Sequence, residues 1–454
     1  MPATSLPTEI LEHITDVVAC DADPSRIYDL LSLSICCKAL VPRSQKHIFC
    51  DVSLYPPVDG SNQWGLPVWS KHFQRTARFV ETVAGRPYLG GHVQTLTCTF
   101  TGERLSTDNA IFSAADAAFR SMENVQRLTL AHSQPNSRLD FGSHSVASSI
   151  WAKRIILLLQ YSRVQQLSIR GLTTFPGEAV LRSSHLRHLT LLNCGIGFSD
   201  SLVGELRALL RQIPRLQSLT CDHYSLAEGI DPILSYLPAQ NSASSDISAP
   251  CDLISGIENL DLGTGHIGLR YALGQTKSLK RLHLRLRCDE GPNFPSLLSN
   301  LNPESFSTLS HLTIRIFSSL ETRYEAIRTP YGRSWSEILP RIQMLEFLEF
   351  YIVFQGEFQV DTSSFGDQWG EIPGIFASGK HHFPHLREVK TTVHVRLIED
   401  DYMEERDRTD AEEFRKNIQN LVYPLYFLQL KTTQSQGPQV DYSFKVESSA
   451  GPHW

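Results

Sequence analysis

The stretch Gly263-Thr264-Gly265-His266-Ile267-Gly268 follows a strand-like run, Ile257 to Leu262, and Asp289 stands further on. That is the layout of a dinucleotide-binding turn, in which glycines allow a tight turn and close approach of a pyrophosphate while an acid holds a ribose. The surroundings argue against it. The segment that should form the phosphate-facing helix, Leu269 to Gln275, is barely two turns long and is interrupted by Gly274. The step from Leu260 to Leu282 also equals a repeat spacing found elsewhere in the chain. We read the glycines as a turn between repeats and expect no cofactor. His381, His382 and His385 are the nearest approach to a metal set. Adjacent histidines on a strand point to opposite faces, and no carboxylate or cysteine completes a tetrahedral site, so a loop surface and no metal are expected. Cys36-Cys37 lacks CxxC spacing and reads as core packing, not redox chemistry. GxSxG, HExxH and P-loop motifs are missing from the sequence. With no catalytic constellation, the chain reads as a binding module and not an enzyme.

The elements around these residues repeat. An apolar-x-x-apolar-x-apolar template begins at Val93, Val125, Val164, Leu186, Leu216, Ile257, Leu279, Leu309, Leu345 and, degenerately, Leu386. Successive copies are 22 to 41 residues apart. One copy, Leu186 to Ile196, matches the leucine-rich-repeat signature L-x-x-L-x-L-x-x-N/C-x-L in full, with Cys194 at the turn position. Leu216 to Leu226 and Ile257 to Ile267 match it with Tyr224 or Gly265 at the turn position. Each unit supplies a short strand and a return segment, and stacked units share a core that none could form singly. Ile150 to Gln160 and Asp200 to Gln212 read as helical returns. Ala239 to Pro250, rich in Ser, Ala and Asn, reads as a loop. Glu399 to Glu413 reads as a solvated acidic cap, and the tail after Lys431 as disordered. Trp64, Trp69, Trp335 and Trp369 are expected in loops that plug the ends of the array.

Composition narrows the function class. Apolar residues make up 41% and charged residues 20% of 454, enough for a real core. A net charge of −6 without a basic cluster excludes nucleic acid as a partner. No apolar run approaches the ~18 residues that cross a bilayer, and no secretory signal is evident. The nine scattered cysteines form no disulfide or zinc pattern, so they read as reduced, mostly buried thiols in the cytoplasm or nucleus.

The N-terminus reads as three helices. Pro7 and Glu9 mark the start of the first, whose apolar positions Ile10, Leu11, Ile14, Val17 and Val18 share a face. Asp23-Pro24-Ser25 breaks it and caps a second holding Ile27, Leu30, Leu31, Leu33, Ile35 and Cys36. Pro42 ends or restarts that helix, and a third holds Ile48 and Phe49. So few residues cannot bury a large core alone, so docking to a partner is physically sensible.

In these residues the chain resembles the F-box family. Leu6-Pro7-Thr8-Glu9-Ile10 is similar to the family's opening block, and Ser34 to Ser44, followed by Gln45-Lys46-His47-Ile48-Phe49, resembles its closing block in fungal members with leucine-rich repeats. Leu40 stands where the family carries Trp. The resemblance implies an α/β protein: a three-helix F-box over 1–52, a linker over 53–90, an irregular leucine-rich-repeat solenoid over 91–430 and a polar tail over 431–454. It further implies a substrate receptor that binds a Skp-type adaptor and, through it, a cullin and a RING subunit of a ubiquitin ligase. Leu6, Pro7, Ile10, Ile14, Leu30, Leu31, Ile35, Cys36 and Leu40 would face the adaptor or support that face. An unknown protein substrate would meet outward positions of the repeats: Gln165, Ser168, His188, Thr190, Gln217, Thr220, Asn259, Asp261, Arg281 and His283. Two other readings are an adaptor-binding repeat scaffold outside any ligase and an NAD(P)-dependent enzyme built on the Gly263–Gly268 turn.

Overall fold

A computed structural model describes residues 7–57 except 22 and 24, 67–198 except 103, 104, 106–108, 135 and 148, then 214–225, 228, 253–263, 267–287, 297–319, 335–355, 383–398, 416, 420 and 441–451. The chain is α/β, with parallel sheet throughout and several helices. It divides into two compact units, Met1–Pro214 and Arg215–Trp454.

The first unit opens with α1 (Thr8–Cys20), α2 (Arg26–Cys36), a 3-10 turn at Lys38–Leu40 and α3 (Val41–Ile48). Proline sits in the first turn of α3, where its missing N–H costs no hydrogen bond. Strands β1 (Asp51–Leu54), β2 (Thr95–Phe100), β3 (Arg127–His132), β5 (Gln166–Arg170) and β8 (His188–Leu192) then lie side by side in chain order, all parallel. Two-residue strands follow the main ones: β4 (Leu139–Asp140) pairs with β6 (Leu172–Thr173), and β7 (Phe175–Pro176) with β9 (Ile196–Gly197). Gly171, at φ +65°, turns the chain between β5 and β6, a conformation that disfavours a side chain. The helices α4 (Pro67–Gly85), α5 (Asn109–Ser121), α6 (His144–Ala147), α7 (Ile150–Tyr161) and α8 (Gly177–Leu181) connect the strands, and α4 packs on α5, α5 on α7 and α7 on α8.

The second unit is a run of parallel strands, again in chain order: β10 (Ser218–Cys221), β11 (Asn259–Gly263), β12 (Arg281–Arg287), β13 (His311–Ser319), β14 (Phe347–Gln355), β15 (Glu388–Ile398) and β16 (Asp441–Gly451).

All ten template copies open a strand, and register aligns their apolar positions. Leu96, Leu128, Leu167 and Leu189 are successive partners in the first unit, as are Leu219, Leu260, Leu282, Leu312, Leu348 and Val389 in the second, and all are buried. Burying one such side chain is worth about 1.5–3 kcal/mol, so each ladder rewards this register and no other. The backbone carbonyl at the template's second position accepts two N–H groups from the next copy, as Gln126 does from Gln165 and Gln166 and Lys280 does from Ser310 and His311. In the first unit aromatic rings fill the turn after the strands: Phe141 lies 5.7 Å from Phe100 and 5.0 Å from Phe175.

Several expectations change. The segment expected as a linker, 53–90, holds the helix Pro67–Gly85, which takes Trp69 out of a loop. Trp335 opens a short helix, Trp335–Ile338. Residues 441–451, expected to be disordered, form β16, because Tyr442, Phe444 and Val446 alternate as a strand requires. Cys98, Cys194 and Cys221 are buried thiols, but Cys20 and Cys36 are exposed. The Cys36-Cys37 pair is therefore not core, since α2 turns Cys36 away from the packed side of the helix. Leu6, Trp64, Asp200–Gln212, Ala239–Pro250, Thr264–His266, Asp289, Trp369, His381, His382 and Glu399–Glu413 lie outside the described residues.

Candidate functional sites: an apolar helical face and a charged sheet face

The first and third N-terminal helices are tied together by one carboxylate. Asp16 on α1 accepts hydrogen bonds from Arg43 Nε (2.7 Å) and Nη2 (2.6 Å) on α3, and pairs with His47 Nε2 at 2.8 Å. The Arg43 and His47 contacts hold the Asp16 carboxyl well below the usual carboxylate range. Leu30 and Leu40 are buried and pack the helices from within.

Outside this knot the helices present apolar side chains to solvent. Ile10, Ile14 and Val17 follow at i, i+4 and i+7 along α1, and Ile27, Leu31 and Ile35 at i, i+4 and i+8 along α2, so each set shares one face. Ile35 is 85% exposed and Tyr28 70%. Scattered exposed apolar residues are ordinary, but seven large ones within residues 10–35 form a concentration of the kind that marks an interaction surface. Of the residues expected to face or support an adaptor, Pro7, Ile10, Ile14, Leu31, Ile35 and Cys36 are exposed, while Leu30 and Leu40 support from inside. Val17, Ile27 and Tyr28 belong to the exposed set and were missed as site residues, although their helical spacing was legible.

The outward residues of the second unit's sheet carry the other concentration of polar chemistry. Asp261 on β11 and His283 on β12 are register partners, and their side chains meet at 3.3 Å. Arg285 Nε reaches the same Asp261 oxygen at 2.9 Å, and Arg285 Nη2 donates to the Cys221 carbonyl at 3.3 Å. Burial alone would push the Asp261 carboxyl up, but the hydrogen bonds and positive charge of His283 and Arg285 outweigh it and leave it lowered. Next in register, His311 stacks on Phe347 at 4.4 Å, and the Arg315 guanidinium lies 4.4 Å from the centre of the Tyr351 ring. Burial and the neighbouring Arg281 lower the His311 pKa.

Asn259, Asp261, Arg281 and His283 thus share one patch, as expected for outward strand positions. Thr220 is the register partner of Asp261. Gln165 and Gln217 are exposed but precede β5 and β10, so they sit in the turns whose carbonyls bind the next copy and not on the strands. Ser168 and Thr190 are register partners in the first unit, as are Gln166 and His188. The expected set is therefore divided between two units. Arg285, Arg315 and Tyr351 were missed, although the alternation in Arg281-Leu-His-Leu-Arg-Leu-Arg287 placed the first of them outward.

The glycine motif is less informative. Gly263 ends β11 and is buried, and a nine-residue helix, Ile267–Gln275, follows. His385 lies exposed in the turn before β15. Among the described residues no group of three His, Cys, Asp or Glu side chains could hold a metal ion, and no helix is long and apolar enough to cross a membrane. No protein-family model matches the chain, and no curated protein matches it significantly.

Proposed function

We propose that the chain is the substrate-recognition subunit of a Skp-cullin-F-box ubiquitin ligase, located in the cytoplasm or nucleus. Its N-terminal helices act as the F-box that binds a Skp-type adaptor, and its parallel strands and helices act as a leucine-rich-repeat solenoid that holds a protein substrate. The observation that carries the reading is the exposed apolar face of α1 and α2, in the segment whose residues resemble the F-box. Solvating Ile10, Ile14, Val17, Ile27, Leu31 and Ile35 is costly, and covering them with a partner recovers about 25 cal/mol per Å² of apolar surface. The Asp16–Arg43–His47 knot holds α1 against α3, which lowers the ordering entropy lost on docking. Under this reading the protein performs no chemistry. It raises the effective concentration of a bound substrate near a ubiquitin-conjugating enzyme carried by the cullin and RING subunits.

Co-expression of the full chain with a Skp-type adaptor tests this. The wild-type chain is expected to retain the adaptor through affinity purification, and Ile10→Asp and Ile35→Asp to lose it while melting as the wild type does. A wild-type chain that captures no adaptor, or variants that capture it equally, would overturn the assignment.

A further inference from the structure

On β12 and β13 the outward positions include Arg281, Arg285 and Arg315, and Arg285 and Arg315 are direct register partners. Like charges placed opposite each other on neighbouring strands cost stability. Composition does not force this cost, since the whole chain carries a net charge of −6. Asp261 balances only one of the three cations, through Arg285. Among the described residues Arg281 and Arg315 form no ion pair. Arg315 Nε has no hydrogen-bond partner, so a donor on this face lacks an acceptor. Cations set opposite each other with too few anions favour an acidic group brought by something else.

We propose that this face binds an extended acidic segment of a partner protein, with two carboxylates four residues apart. One would pair with Arg281 and the other with the Arg285–Arg315 pair. The spacing follows from strand geometry: positions 281 and 285 lie ~13 Å apart along β12, the reach of an i, i+4 pair in an extended chain at ~3.3 Å per residue. The charge count selects carboxylate over phosphate. Arg281 offers one positive charge, and Arg285 with Arg315 offers one more after Asp261 is counted, so each end suits a monoanion. That the segment belongs to a ubiquitination substrate rests on the function proposed above; the binding chemistry does not require the adaptor.

Fluorescence anisotropy with the full chain tests the site. The probe is a short fluorescein-labelled Gly/Ser peptide carrying two glutamates separated by three residues. It is expected to bind the wild type, and Arg281→Glu and Arg315→Glu are each expected to weaken it by roughly tenfold, equivalent to ~1.4 kcal/mol. Arg127→Glu, on the first unit's sheet, should bind as the wild type does, and a peptide with adjacent glutamates should bind more weakly. The proposal is overturned if the wild type fails to bind, if Arg127→Glu loses as much as the other two, or if a doubly phosphoserine peptide binds far more tightly than the glutamate probe. Melting curves of the charge-reversal variants establish that they fold. Adaptor capture by the same variants should be unchanged. Peptide binding without adaptor capture would remove the ligase assignment and leave this site standing.

Discussion

The backbone carbonyl of Cys50 accepts the N–H of Thr95 at 2.9 Å, and it also takes the N–H of Gln94 at the same distance. This is the fork that joins every later template copy to the next one within each unit, so Phe49-Cys50-Asp51-Val52-Ser53-Leu54 is an eleventh copy. Val52 and Leu54 are buried, and β1 spans the boundary expected at residues 52 and 53. The N-terminal helices are therefore fastened to the sheet by a strand. A deletion of the helices that reaches β1 disturbs the sheet as well as the apolar face.

Deleting residues 1–54 is accordingly expected to lower the thermal unfolding midpoint of the first unit, because it uncovers the edge of β2. Ile35→Ala, at a side chain that is 85% exposed, is expected to leave the midpoint within a degree or so of wild type. Differential scanning calorimetry separates the two. Equal midpoints for the deletion and the wild type would contradict the role given to β1.

Leu189→Ala should behave quite differently from Ile35→Ala. Leu189 is 1% exposed and stands in register with Leu167 in the first unit's ladder. Truncating it leaves a cavity between neighbouring copies, with a cost of about 2–5 kcal/mol. Urea unfolding followed by circular dichroism should show the midpoint shift. A loss below about 1 kcal/mol would mean that the ladder collapses around the gap.

Acid should loosen the N-terminal helices before it unfolds the rest of the chain. The folded pKa of Asp16 is lowered by its hydrogen bonds with Arg43 and His47. Its stabilising contribution is therefore complete above the unfolded value, 3.8, and is lost as pH falls through the lower folded value. Hydrogen exchange in α1 is expected to accelerate relative to the sheet as pH drops from roughly 5 toward 2. Asp16→Asn, which cannot carry the charge, should flatten that dependence. An unchanged pH profile in the variant would show that the knot contributes no charge-dependent stability.

Thiol labelling offers a check on burial. The Cys98 thiol is fully enclosed, and burial pushes its pKa up to about 12, so it holds almost no thiolate near neutrality. Iodoacetamide in native buffer is expected to modify Cys20 and Cys36 readily and to leave Cys98, Cys194 and Cys221 unmodified until denaturant is added. Peptide mass spectrometry reads the pattern. Rapid native modification of Cys98 would contradict the packing described for β2.

Sequence alone determined the repeating strand, because a two-residue period with a fixed apolar start is a local property that register merely propagates. Each template from Val93 to Leu386 opens a strand in the folded chain. The helical character of residues 8–48 was legible for the same reason, since apolar spacing and Pro42 act within one or two turns. Tertiary structure decided which of those apolar residues are spare. Ile10, Leu30 and Ile35 look alike in the sequence, yet Leu30 is buried while the other two face solvent, because the packing of α2 against α1 and α3 covers one side of each helix and leaves the other bare. Tertiary structure also set Arg285 opposite Arg315, which are 30 positions apart in the chain, because pairing between parallel strands depends on the length of the connection and not on any nearby residue. The eleventh copy at Cys50 was present in the sequence as well. What marks it as a copy is its carbonyl, which holds Gln94 and Thr95.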